Sequence, residues 1–487
     1  MHHSEPNFSR SDDREGRYSK VRRRGKLLAS EIIISSNRLS EQNAHDCALD
    51  AYIFGYPLVL ADFIRQIFTN TPGPGELAAP INQFAHMRAF PDDTTISIAR
   101  PSADALQTSA FLDLSREPMV LSVPEIRRRY YFMEMLDAWT NVFACLGTRT
   151  TGYGAAAYAI VGPRSLDTLP DGVSMIQAPT NLVWLMGRIQ SSGSPEDYAT
   201  LHPIQDEFRL TPLSAWGRTY APPESLHIPI KNVNLRTSAS EQIANLGAGV
   251  FFKRLSNLMK DNPPASQDRD VIRSLSAIGI EPGRAFDITS LGPALAAAVE
   301  RGFAAGHAKL SSEAKKNRGR TVNGWEFSKD MGRYGTDYLH RATTAVTRPG
   351  VSLSEDALCA RACKDADGAP LHGENRYEIH FPKGQLPPVS AYWSISMYNS
   401  RQFFVNNPIN RFTIIGDREK LLLNDDGSLT LYIQATPRAK WEPNWLPAPK
   451  DTFHLCMRLY WPKQDALDGN WKPPQIQRFP AATAEVA

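Results

Sequence analysis

Few side chains in this 487-residue chain stand where they can hold or move a proton on a substrate. Asp104 and Asp137 form the carboxylate pair of most interest. Each is predicted on a strand of one sheet, within "RPSADALQTSAFLDLSREPMVLSVPEIRRRYYFMEMLDAW" (100–139). Two carboxylates in one cleft divide the acid and base roles when their surroundings separate their pKa values. Arg129 and Arg149 are the candidate counter-charges. The alternative is a structural Asp–Arg bridge that fixes strand ends. His86 offers an imidazole for base catalysis or metal binding. It follows Asn82 by four residues in "NQFAH", one face of a turn if the stretch is helical; the alternative is a histidine with satisfied hydrogen bonds. The expected catalytic set is therefore Asp104, Asp137, Arg129, Arg149 and His86.

A second signal is aromatic. Tyr392, Trp393, Tyr398, Trp441, Trp445 and Trp461 crowd the C-terminal part, with Asn444 beside Trp445. Rings with polar tips suit a sugar, aromatic or terpenoid ligand in a concave sheet, and equally suit a sandwich core. Asn82, Trp393, Tyr398, Asn444 and Trp445 make up the expected ligand-binding set. Glu378 and His380, with His454, offer donors for a cupin-like metal cluster, but the H-x-H pattern is missing. "CARAC" puts Cys359 and Cys363 on one face only if helical. No metal is assigned and the cofactor is left unknown. The nucleophile elbow, H-E-x-x-H, Walker loop and dinucleotide fingerprint are all absent. "GTRTTGYG" (147–154) lacks the lysine of a phosphate loop and reads as a turn.

The elements that must position these residues follow from periodicity. Length predicts two or three domains, and 42% hydrophobic with 22% charged residues fit a globular chain of net charge +3. The basic excess lies in a tail, residues 1–40, predicted disordered, so no nucleic-acid partner is inferred. Five cysteines are too few for a disulfide scaffold. Residues 41–235 read as a helix pair broken at Gly55 and Pro57, then an all-β domain of short period-two strands. Helical spacing fills 236–346, where Ser238 or Ser240 caps the first helix. Strands return over 347–478, with an Asp-Gly hairpin turn in "NDDGS", and 479–487 form a tail. The predicted fold class is α+β and multi-domain, closing in a C-terminal jelly-roll-like β-sandwich. No secretory signal is legible, and the apolar run 51–61 is half the length of a membrane span. A cytoplasmic location is expected, or export if the start site is misassigned. Open strand edges favour a homo-oligomer.

Several of these stretches carry a family resemblance. "NQFAHMR", "LDLSREPMVLSVPEIRRRYYFMEMLDAWTNVFACLGTRTTG" and "APTNLVWLMGRI" resemble the domain of unknown function 1254. "GENRYEIHFPKGQLPPVSAYWSISMYNSRQFFVNNPINRFTI", "NDDGSLTLYIQ" and "NWLPAPKDTFHLCMRLYWP" resemble its usual partner, domain of unknown function 1214. The resemblance spans roughly residues 42–475 and implies an N-terminal β domain, a helical middle and a C-terminal jelly-roll-like domain, with no settled activity. The family's word near residue 101 resembles Pro-Asn-x-Asp-Thr-x-Tyr. Here Pro101 and Asp104 remain, while Ser102, Ala105 and Gln107 replace the amide, the hydroxyl and the phenol.

The reading that follows is a small-molecule hydrolase or lyase whose acid–base residues line a cleft between the two β domains. A non-catalytic binder of a sugar-like or hydrophobic compound is the alternative, and a structural oligomer the third.

Overall fold

The computed structural model describes residues 39–95, 100–165, 168–222, 233–316, 319–328, 330–416, 421–436 and 439–479. The basic head, the end of the strand expected in "TTISIA", the Trp441 side chain and the last eight residues lie outside the described residues. The chain is a multi-domain mixed α/β protein with several sheets and a helical segment.

Helix α1 (Glu41–Thr69) begins where the Ser40 side chain accepts from the Asn43 N–H. It is one continuous helix, not the broken pair expected from Gly55 and Pro57. Every residue from Ala51 to Ile64 is buried, so packing on all sides offsets the single backbone bond that Pro57 removes. Gly55 is required by close approach: a Cβ there would stand 2.4 Å from Leu255 Cδ2. By length and composition α1 can cross a membrane, which the apolar run 51–61 alone could not. Its apolar window is 83% buried within the protein.

The partners of α1 are helices α3 (Ala239–Ala244), α4 (Ala248–Asp261), α5 (Arg269–Ser276), α6 (Pro293–Glu313) and α7 (Tyr338–Thr347). Together they enclose one apolar core with Phe111 and Leu182 of the neighbouring sheet and Trp139 of one of its turns. Ser238 caps α3 as expected, accepting from the Glu241 N–H. The closest contact joins α6 to α1, where a Cβ on Gly302 would stand 2.1 Å from the His45 carbonyl oxygen. Gly302→Ala therefore forces the two helices apart and should cost about 2 kcal/mol. Urea denaturation checks this, and a loss under about 0.5 kcal/mol would contradict the packing.

Four sheets complete the fold. A five-stranded sheet runs β1 (Ala85–His86), β2 (Ala105–Asp113), β8 (Leu182–Gln190), β4 (Tyr131–Asp137), β5 (Val142–Gly147). A second sheet runs β7 (Val173–Gln177), β6 (Ala156–Val161), β3 (Met119–Val123), β9 (Arg209–Pro212). The two share a core built from alternate residues such as Leu106, Tyr131, Met133, Leu185, Leu121 and Ile160. A helix the sequence reading passed over, α2 (Pro195–Glu207), packs beside them. The C-terminal half holds a six-stranded sheet: β10 (Arg320–Val322), β11 (Trp325–Phe327), β12 (Ala357–Ala362), β18 (Phe453–Tyr460), β14 (Trp393–Asn399), β15 (Thr413–Ile415). A four-stranded sheet runs β17 (Trp445–Pro447), β16 (Leu429–Gln434), β13 (Arg376–Phe381), β19 (Ile476–Phe479). Both contribute to one core, Trp325, Leu455 and Ile395 meeting Tyr377, Ile379 and Leu431. The hairpin at 320–327 lies within the segment expected to be helical, yet belongs to this C-terminal sheet.

Candidate functional site

Strand alternation sends Trp393, Ile395 and Met397 of β14 into the C-terminal core and leaves Ser394, Ser396 and Tyr398 on the other face. On β18 the same rule leaves His454, Cys456, Arg458 and Tyr460 on that face. Such polar residues belong in water, yet all seven are buried. The segment Arg100–Asp104, which leads into β2, lies across them. Asp104, fully buried, accepts from the Tyr460 hydroxyl at 2.9 Å, from the Ser394 hydroxyl at 2.5 Å and from Ser102. Its backbone carbonyl accepts from Tyr392 at 3.1 Å, and Tyr398 donates to the Pro101 carbonyl at 2.6 Å. The two β regions thus meet on a hydrogen-bonded seam.

At the other end of this seam lies a carboxylate pair. Glu134 points from the face of β4 opposite Met133 and Met135, and is 1% exposed. Asp356, just before β12, is fully buried and held by Arg149 through two charge-assisted bonds, 2.8 Å from Nε and 2.7 Å from an Nη. Donor atoms of Glu134, Cys145 and Asp356 lie within 4.8 Å of one another. The Leu353 N–H donates to Glu134 at 2.6 Å, and the Tyr130 hydroxyl donates to the Asp356 carbonyl at 3.0 Å. Burial, then the charge of Asp356, pushes the Glu134 carboxyl up to about 8. Burial likewise raises the Cys145 thiol well above its ordinary range. Two carboxylates and a thiol can ligate a divalent ion. Here Arg149 already neutralises Asp356, so a cation would have to displace a guanidinium, a proton and a thiol proton together. The arrangement fits a held proton better than a metal.

The expected site residues fall in different places. Asp137 ends β4, whereas Asp104 stands one residue before β2 and not on a strand, and the two share no cleft. Asp104 adjoins the Gln190 end of β8, whereas Asp137 pairs with Val183 near its start, roughly 20 Å away along the strand. Asp137 caps the β4–β5 turn, accepting from the Trp139 and Asn141 N–H groups at 2.9 Å each. Burial raises its carboxyl, and Arg341 is the arginine that draws it back down. Arg129 pairs with Asp197 at 2.7 Å, and Arg149 with Asp356, so neither is the partner of Asp104 or Asp137. Asn82 and His86 do not share a helical turn: the chain there is a turn entering β1. Asn82 accepts from the Asp113 N–H at 2.9 Å, and His86 Nδ1 lies 3.0 Å from the Thr108 hydroxyl. Burial and then Arg88 push the His86 imidazole down to about 4, which keeps it neutral.

The aromatic set is internal. Trp393 packs on Phe381, Trp445 donates to the Gln434 carbonyl at 2.8 Å, and Asn444 ties Leu422 to Thr430 through three bonds of 2.8 Å. Tyr398 stacks on Phe404. Glu378 and His380 lie on β13 and border an open depression of about 430 Å³, while His454 lies on β18 of the other sheet. The three are not one cluster. Cys359 and Cys363 are on and just after strand β12, not a helix, and Cys359 instead lies diagonally across the ladder from Cys456. Residues 147–154 form the expected turn. Glu134 and Asp356 were not among the expected residues. The signal for Glu134 was one charge in the middle of the apolar run "YYFMEML".

A multi-domain α/β chain whose two β regions close on a buried polar seam is what the fold defines. Those regions carry a family assignment: residues 81–212 match the family described as protein of unknown function DUF1254, and residues 356–464 match protein of unknown function DUF1214. The DUF1254 match precedes the DUF1214 match, in the order the sequence motifs indicate. The crystal structure of the VPA0106 protein from Vibrio parahaemolyticus is similar over 90% of this chain and 100% of that one, with a TM-score of 0.68 and 22% identity. That likeness extends to the fold. A putative uncharacterized protein from Burkholderia cenocepacia aligns with 88% of each chain at 12% identity and a TM-score of 0.40. No curated protein matches the chain.

Proposed function

We propose that the seam carries acid–base chemistry on a small molecule, as a hydrolase or lyase, with Glu134 the proton donor. The C-terminal half is read as a jelly-roll-like sandwich, supported by the core its two sheets share. The observation that carries the reading is a carboxyl pushed up to about 8 beside a second carboxylate fixed by arginine. Environments that separate two carboxyl groups in this way are those that assign acid and base. Glu134 keeps its proton at neutral pH, and Asp356 faces it under the grip of Arg149. The Arg149 side chain is 23% exposed, so the guanidinium that holds Asp356 belongs to a side chain in contact with solvent.

The test is a turnover screen of the full chain against esters, lactones, glycosides and hydroxy acids. For any substrate found, Glu134→Gln should lower the rate about a hundredfold or more. The acid form is populated below about 8, so wild-type turnover should fall as pH rises past that value. Equal turnover by Glu134→Gln would sink the reading.

A further inference from the structure

We propose that the polar face of the six-stranded sheet binds a compact oxyanion, a phosphate or carboxylate group, through Arg100, Arg348, Arg361, Arg458 and His454. The placement follows from register. His454, Cys456 and Arg458 alternate along one face of β18, Arg361 of β12 stands opposite Cys456, and Cys359 stands opposite Arg458. Arg100 crosses this face: its carbonyl accepts from Arg458 at 3.3 Å, and its guanidinium reaches the Thr347 carbonyl at 2.8 Å, beside Arg348. Arg348 in turn donates to the Ser328 hydroxyl.

The charges do not balance. Of the four guanidinium groups on this face, Arg361 pairs with Glu326 at 2.9 Å and Arg458 feels the charge of Asp104, which leaves Arg100 and Arg348. Arg100 and Arg348 have no carboxylate partner among the described residues. They act on one another, since burial and then Arg348 push Arg100 down to about 10. His454 is 6% exposed, and its Nε2 has no hydrogen-bond partner. Burial, then Arg361 and Arg100, push that imidazole down to about 4, so the ring stays neutral and its pairing is not solved by a proton. An anion's oxygens would give the Nε2–H tautomer of His454 its missing acceptor and the Arg100 and Arg348 guanidinium groups the negative partner they lack. Guanidinium forks match the planar or tetrahedral oxygens of carboxylate and phosphate. Arg348, Arg361 and Cys359 are half-buried, so the face is reached from solvent on that side. The proposal goes beyond the proton-transfer reading and does not rest on it, because Arg361 lies five residues, roughly 16 Å, along β12 from Asp356.

Isothermal titration calorimetry of the full chain with inorganic phosphate, and separately with succinate, tests it at ionic strength held constant with chloride. At least one of the two should bind saturably, and the pair of titrations separates a phosphate from a carboxylate ligand. Arg348→Gln, which gives up one hydrogen bond to Ser328, should weaken binding about tenfold or more. His454→Gln should weaken it in the same direction, while Arg333→Gln, an exposed arginine paired with Glu355, should leave it unchanged. Melting curves of each variant confirm that it is folded. The absence of saturable binding by either anion to wild type overturns the proposal. So does binding that Arg348→Gln and His454→Gln leave intact.

Discussion

Asp104→Ala should lower the stability of the chain by about 4 kcal/mol and split its unfolding into two steps. The carboxylate is fully buried and accepts from three hydroxyl groups, those of Ser102, Ser394 and Tyr460. Its charge also acts on Arg458, which is 8% exposed and bonded to the Ser396 and Tyr398 hydroxyls at 2.9 Å each. Alanine leaves a buried guanidinium without that counter-charge and three hydroxyls without their acceptor. Each loss is of the kind that costs more than the bond itself, because the partner stays buried and cannot return to water. Ser394 and Tyr460 belong to the C-terminal sheet, and Asp104 leads into β2 of the N-terminal one. Weakening this bond therefore uncouples the two, and coincident unfolding should give way to a biphasic urea curve. Asp104→Asn keeps the shape and loses the charge, so it should fall between wild type and alanine. A single cooperative transition with a loss below about 1 kcal/mol would show that the seam does not depend on Asp104.

Local features of this chain were legible because they are set by neighbours in sequence. Period two in "MVLSV" and "NLVWLMGRI" gave strands β3 and β8, and Ser238 three residues before Glu241 gave a helix cap. The Asp-Gly pair in "NDDGS" gave the turn before β16, where Ser428 closes on Asp426. What failed was long-range. Gly55 and Pro57 read as a break, because sequence alone does not show that Leu255 will need the space or that α1 will be buried on every side. Asp137 falls on a strand as expected, whereas Asp104 stops one residue short of β2, and their distance depends on the register of β8 between them. The seam itself was half visible. Asp104, Arg149 and Tyr398 were named, whereas Asp356 lies 207 residues beyond Arg149, and no local pattern links them. Ser102, a departure from the family's word, turns out to donate to Asp104, so the altered word still closes the seam.

Glu134 should make the protein's stability fall as pH rises, opposite to the effect of a carboxylate held by an ion pair. Its carboxyl is raised from 4.5 to about 8, first by burial and then by Asp356. The folded chain therefore holds a proton that the unfolded chain releases near pH 4.5. The sign follows: the contribution of Glu134 is fully present below about 4.5 and is lost progressively as pH rises toward 8. At about 1.4 kcal/mol for each unit of displacement, the whole window amounts to about 5 kcal/mol. Glu134→Gln removes the titration and keeps an oxygen to accept from the Leu353 N–H. Below pH 5 the variant should match wild type or be slightly less stable, since Gln cannot supply the same hydroxyl proton. By pH 8 it should be the more stable of the two by several kcal/mol. Urea denaturation at pH 5, 6.5 and 8 measures the difference, and groups unchanged between the two proteins cancel in it. A difference that stays within about 1 kcal/mol across that range would mean Glu134 is ionised in the folded protein. The proton at the seam, and with it the acid proposed for catalysis, would then be absent.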